Sequence, residues 1–461
     1  MGKYLIRQAA VLAVLGQPVL PALAQEGGLR FHFDIEERLS HGRNLALEVP
    51  AEGTTQRAET RLSFGLISET RSETLVLEMG IVPLLAREPG EKTGARLDEP
   101  SLRFSYDRES ANAALALGAD YREIQVDDLP DLSEFVDDEG NPDLPDDLAD
   151  LVGSGTRADY RLQARLDLGT AAPLGLTLEA GLSGRDYTDT TDPDLFDSRR
   201  ETLAATTRLR FSPLTEGTLG LSHARYDAED AEDTLRETTA LELGVSHALS
   251  PRAGLSAAIG YTVIDTRELG VTTREDGLTG RLGLDYEMPN GTADARLDST
   301  TDQNGARLTL SFGRALDLPA GGLSARLGVT RAEGNDPALI GALDWRHDLP
   351  TGQISARAER REKSTADDDA ITRTTLLILG YDQELTAVSG LNLGLSYAQI
   401  DETGANMLER ADLTASYRHA LTADWDMNFG LAWRMRDEAT EGRATSEEVF
   451  FSLNRRFEWQ R

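Results

Sequence analysis

Apolar side chains recur at every second position along most of this chain. In the clearest stretch Tyr160, Leu162, Ala164, Leu166 and Leu168 alternate with Arg161, Gln163, Arg165 and Asp167. A period of two puts one set on each face of a β-strand. The same alternation returns at 29–35, 62–66, 75–81, 102–106, 115–121, 160–168, 174–182, 203–211, 219–221, 241–245 and 255–261. It continues at 278–286, 293–297, 308–312, 323–329, 339–345, 354–358, 377–381, 391–397, 411–417, 425–433 and 447–459. The pattern therefore predicts 22 strands, within a range of 18 to 24, and no helical domain.

The connections differ in kind. Short turns such as Ser212-Pro213-Leu214, Pro289-Asn290-Gly291 and Pro350-Thr351-Gly352 alternate with longer acidic segments, among them 188–198, 227–234 and 364–369. Short turns at one end and longer loops at the other predict a single transmembrane, antiparallel, up-and-down β-barrel with both termini on the short-turn side. A spanning sheet has to close on itself, because lipid offers no partner for edge N–H and C=O groups. A soluble propeller is the rival, but no Gly or Trp-Asp motif returns at a blade period. Tyrosines and tryptophans near strand ends (Tyr106, Tyr261, Tyr417, Trp345, Trp425, Trp459) read as interfacial girdles.

Composition changes this picture in three ways. Residues 1–24 carry Lys3 and Arg7, then an apolar run, then Ala22-Leu23-Ala24 before Gln25, which is the form of a secretory signal peptide. The barrel is thus expected over 25–461, with its first strand only a few residues past the cleavage site. Such a start leaves no plug domain and argues against a TonB-dependent receptor. The formal net charge of −32 disfavours nucleic acid as a partner. The absence of cysteine removes disulfides and thiol chemistry from an exported chain.

The polar row is rich in arginine. Arg161, Arg165, Arg208, Arg210, Arg281, Arg307, Arg357, Arg434 and Arg436 fall on it, with Asp159, Asp167 and Glu359 as interspersed acids. These are the pore-lining candidates. Two readings fit them: a structural ladder of cross-strand charges in a hydrated wall, or a permeation path for charged solutes.

The last strand, EEVFFSLNRRFEW, sets Val449, Phe451, Leu453, Phe457 and Trp459 against Phe450, Ser452, Asn454, Arg456 and Glu458. It resembles the closing strand of Gram-negative outer-membrane barrels, although Arg455 breaks the apolar row. That resemblance implies outer-membrane lipid and lipopolysaccharide as surroundings, and the barrel assembly machinery as a partner that reads this strand. The chain as a whole resembles the β-barrel porin 2 type of outer-membrane protein, in pattern rather than in any motif. The resemblance implies solute passage or exopolysaccharide export.

An acidic insert over 127–155 interrupts the strands. Eleven Asp or Glu residues lie between Asp127 and Asp150, together with Leu129, Leu132, Phe135 and Leu144. It is the third outward loop, and it resembles the third loop of general porins, which folds into the lumen. Asp128, Asp131, Glu134, Asp137 and Asp138 are accordingly pore-loop candidates; the bland alternative is an external acidic loop that binds divalent cations loosely. A barrel this wide needs something inside it to restrict flow.

Enzymatic chemistry finds no support. The six histidines have no metal-ligand spacing, and no phosphate loop, nucleotide fingerprint or nucleophile elbow is present. No cofactor or metal is called for. The reading is a passive outer-membrane channel for small hydrophilic or charged solutes. The alternatives are an exopolysaccharide export or assembly barrel, and a closed structural or surface-binding barrel. A second copy of the chain, in a homo-oligomer, is a further partner option for such a barrel.

Overall fold

The computed structural model describes residues 28–51, 53–90, 93–127, 131–135, 144–145, 148, 151, 153–190, 192–364, 370–402, 407–439 and 442–460. The expected leader lies outside them, as do Asp128, Asp137 and Asp138. Twenty-two strands form one all-β sheet, and each of the predicted stretches falls within one of them. Every strand pairs antiparallel with its sequence neighbours, and β1 (Leu29–Arg43) pairs with β22 (Gly442–Gln460). The ring is therefore closed, with the wall pairing its own backbone N–H and C=O groups.

Antiparallel partners share a face, so the registers carry each row of side chains around the whole ring. One row is apolar and open to the surroundings. On β10 (Leu235–Ser250), Leu241, Leu243 and Val245 are 52%, 60% and 46% exposed. A soluble protein does not leave a continuous leucine belt uncovered, whereas lipid covers it without cost. Trp425, Tyr286, Tyr417 and Trp459 lie towards the strand ends on the side of the termini.

The outer end is less uniform than the sequence implies. Leu269 and Gly270, with φ of 49° and 78°, join β11 (Ala253–Glu268) to β12 (Val271–Met288) in a two-residue hairpin. A turn with both central residues at positive φ matches the twist of the strands it joins, and glycine at the second position adopts that conformation freely. β13 (Gly291–Asp302) and β14 (Gly305–Leu318) are joined as tightly. Length is concentrated instead between β5 (Ala113–Gln125) and β6 (Thr156–Leu168), where the insert sits.

The seam carries specific contacts on both faces. Inside, Arg456 donates to both oxygens of Asp34, at 2.6 and 3.2 Å. Outside, the rings of Phe33 and Phe457 lie 6.3 Å apart between centroids. A chain ending at residue 441 lacks β22 and exposes two unpaired edges. It is expected to give no heat-modifiable band on electrophoresis after refolding, whereas the full chain gives one.

Candidate functional site

The inner row is a charge ladder. Arg165 donates to Asp167 at 2.9 Å and to Glu179 at 2.6 Å. Arg281 pairs with Asp298 at 3.0 Å, Arg436 with Glu438 at 2.7 Å, and Arg357 with Asp344. Arg208 and Arg210 both approach Glu216, at 3.9 and 3.8 Å. Asp159 accepts from Arg157 at 2.9 Å. Arg307 reaches Glu362 at 2.9 Å near the outer rim. Arg161 lies across from Asp120 and Ser183, and Glu359 across from Ala342 and Leu376. The candidates are thus spread around the ring rather than gathered into one cluster, and most arginines named on the wall carry an acid beside them.

One sector of the inner row is not polar. On β18 (Ile371–Thr386), β19 (Ser389–Glu402) and β20 (Leu408–Ala420), the residues Leu376, Ala398, Ile400 and Leu408 are buried on the face shared with Arg410 and Asp412. What covers them is the acidic insert. Leu132, Leu144, Leu148 and Leu151 form one core with this patch, joined by Val126 at the loop base and by Leu195 of the next outward loop. Burying each leucine contributes about 1.5–3 kcal/mol. In a closed ring, a segment leaving the wall between β5 and β6 and covering the inner face of β18–β20 lies inside the lumen.

Polar contacts fix the register of the docked loop. Its short 3₁₀ turn, Leu132–Glu134, is held at both ends. At one end the Leu132 N–H donates to Asp412 Oδ2 at 2.9 Å, and Arg434, on β21 (Trp425–Glu438), donates to Asp131 Oδ1 at 3.0 Å. At the other end Glu134 lies 3.9 Å from Arg122 of β5. The chain of charges runs on from Arg434 to Glu448 at 3.2 Å, and from Glu448 to Arg38 at 2.9 Å. Arg38 in turn lies 4.1 Å from the ring of Phe450, one of the few aromatic residues on the inner row. Arg410 and Asp412 meet at 3.5 Å with side chains 4% and 1% exposed. Leaving one partner of so dry a pair alone is strongly unfavourable. The connection that follows β1 closes in from beside them: Leu45 and Leu47 line a small pocket with Val126, Leu148, Leu151, Arg410, Arg434 and Arg436.

Of the five pore-loop candidates, Asp131 and Glu134 are therefore placed within the lumen, one on each side of the turn. Across from the dock, a cavity of about 700 Å³ runs along the inner wall of β4–β8, where Arg161, Gln163, Arg165, Glu179, Arg200 and Thr202 line it (β4 is Gly94–Glu109, β7 Leu174–Thr188, β8 Ser198–Ser212). The docking patch itself was outside the expectations from alternation. Its signal is the run Leu376-Leu377-Ile378-Leu379, apolar on both parities where a barrel strand should be apolar on one.

No protein-family model matches the chain, so none supports the likeness to the β-barrel porin 2 type, and no curated protein matches it. Solved structures do. The FrpB iron transporter from Neisseria meningitidis aligns with a TM-score of 0.57 and 9% identity over 94% of this chain and 82% of that one. The ferric-catecholate import receptor Fiu from E. coli aligns with a TM-score of 0.58 and 10% identity over the same shares. BauA, the ferric preacinetobactin receptor from Acinetobacter baumannii, gives 0.52 and 10% over 94% and 80%. At such identities the likeness is one of fold: a 22-strand outer-membrane β-barrel. An outer-membrane location agrees with this fold and with its apolar belt.

Two outcomes follow for the docked loop. Leu132→Ala is expected to weaken docking by about 2–5 kcal/mol, the usual range for a buried leucine, read as faster limited proteolysis within 127–155. Glu134 is held above the ordinary carboxylate range, first by loss of hydration and then by Asp131, while Arg122 and Arg61 oppose this and Glu99 adds to it. A pKa higher in the docked than in the released loop means that protonation favours docking. Acidification from neutral pH towards the ordinary glutamate range should therefore slow proteolysis, and Glu134→Gln should give that protection at neutral pH and flatten the response.

Proposed function

We propose that this protein is an outer-membrane channel for small hydrophilic or charged solutes, restricted by its third outward loop. In its finer form, the proposal is a porin of the β-barrel porin 2 type. The observation that carries it is the docking of the insert on the inner wall, where Asp412 and Arg434 hold Leu132 and Asp131 and the insert's leucines cover the β18–β20 patch. In this proposal solutes pass between the docked residues and the β4–β8 wall, where the cavity of about 700 Å³ lies. In this reading the outer row contacts lipid and lipopolysaccharide, and β22 is the strand offered to the assembly machinery.

Selectivity follows from which charges remain uncompensated. The wall arginines named above are largely matched by neighbouring acids, so in this proposal the eleven acids of 127–150 supply the surplus charge. Cations should be preferred.

Planar-bilayer recording of the refolded protein under a salt gradient tests this. A steady conductance with a cation-selective reversal potential is expected. Deleting 128–150 should raise the conductance several-fold and move the reversal potential towards zero; unchanged values would remove the loop from the path. A second reading rests on the dryness of the Arg410–Asp412 and Leu132 dock, which suits a barrel held shut until opened, as export requires. A silent native protein that conducts once Leu132 is changed to Asp would decide for that gated reading.

A further inference from the structure

Arg455 stands on the wrong row. The registers pair it with Trp425 on β21 and Ile35 on β1, so it shares the outward face with Leu453, Phe457 and Trp459. A guanidinium is a planar, positively charged group with five N–H donors, out of place among apolar side chains. On a lipid-facing row such a charge is costly at the centre of the belt and tolerated only towards its edge. Arg455 is at the edge: Trp425 is the first residue of β21, and the ring of Tyr417 stacks on His419 near the end of adjacent β20.

Its contacts leave the charge unanswered. The guanidinium carbon lies 4.3 Å from the Phe457 ring centroid and 5.3 Å from that of Trp425. Such cation–π contacts hold a guanidinium in place without neutralising it. Its Nε is shielded from solvent and has no acceptor. Among the described residues no carboxylate pairs with it, whereas its neighbour on the inner row, Arg456, is held by both oxygens of Asp34. Glu37, placed diagonally on β1, accepts from Thr60 at 3.1 Å instead.

We propose that Arg455, seated between Trp425 and Phe457, is a binding site for the phosphodiester of a phospholipid headgroup in the leaflet on the side of the termini. A guanidinium offers a planar fork of donors that fits two phosphate oxygens. The two rings orient that fork and flank the first carbons of the acyl chains. The site rests on the barrel being embedded in a membrane, and is independent of whether it conducts.

Native mass spectrometry of the refolded full chain, released from detergent micelles doped with phosphatidylglycerol, reads the site directly. The native protein should keep one lipid at collision energies that strip the others, and Arg455→Gln should lower that retained fraction about tenfold with unchanged heat-modifiable migration. The inner-wall variant Arg103→Gln should retain lipid like the native protein. Three results would overturn the proposal: equal retention by Arg455→Gln, equal retention of a diacylglycerol that has the same chains but no phosphate, or displacement of the lipid by inorganic phosphate at the same concentration. The last would assign the site to a free anion. Arg455→Lys, which keeps the charge but loses the fork, should retain an intermediate fraction.

Discussion

Everything in this molecule depends on the sheet having no edge. A strand in hydrocarbon cannot leave N–H and C=O groups unpaired, because each costs several kcal/mol and no water is present to take them. β1 and β22, separated by the whole chain, therefore have to meet, and they do so along nearly their full length. Once the ring is closed, the two faces of the wall experience different solvents. The outer row can be leucine without penalty, and the inner row can be arginine and aspartate because it stays hydrated. Exposed ion pairs of this sort contribute at most about 1 kcal/mol each, so the ladder is better understood as a way of keeping a wide wall wet and open than as the source of its stability.

The loop dock obeys the opposite rule. Asp412, Arg410 and Leu132 are almost dry, and in a dry setting a polar group without a partner is expensive. Such an arrangement tolerates few alternatives: either the Leu132 N–H meets Asp412 and the leucines meet Leu376 and Ile400, or the loop leaves as a unit. Glu134 adds a small opposing effect, since at the end of the turn it is less readily ionised than in water. Docking strength is thus a balance between apolar burial and charge hydration.

The fold was legible almost entirely in the alternation, because a barrel strand has one lipid face and one wet face and nothing else determines its sequence. Leu241 and Val245 announce their row as plainly as Arg165 and Asp167 announce theirs. Strand ends were less legible: β21 and β22 continue past the belt, where outward residues such as Asp437, Arg443 and Thr445 are polar and alternation gives no contrast. The entry of the insert into the lumen was legible as an option, from its length and its leucines. Where it lands was not, because the landing patch is marked only by a break in the pattern of β18, and a one-dimensional pattern cannot say that a segment leaving β5 settles on β19. The partners of the wall arginines were half visible. Acids two residues away on the same strand, as with Arg165 and Asp167, can be read directly; cross-strand partners such as Glu179 need the register.

The order of the chain adds a consequence for assembly. The insert is made before the strands that receive it: residues 126–155 precede the patch at 376–412 by more than half of the wall. The wall that receives Leu132 exists only after β18–β21 are in place, so the docked turn is among the last features to form. Until then its leucines are spaced among eleven acids, which keeps an exposed segment from sticking to other chains in transit. The same carboxylates that shape the finished passage thus act first as the chaperone of the segment that carries them.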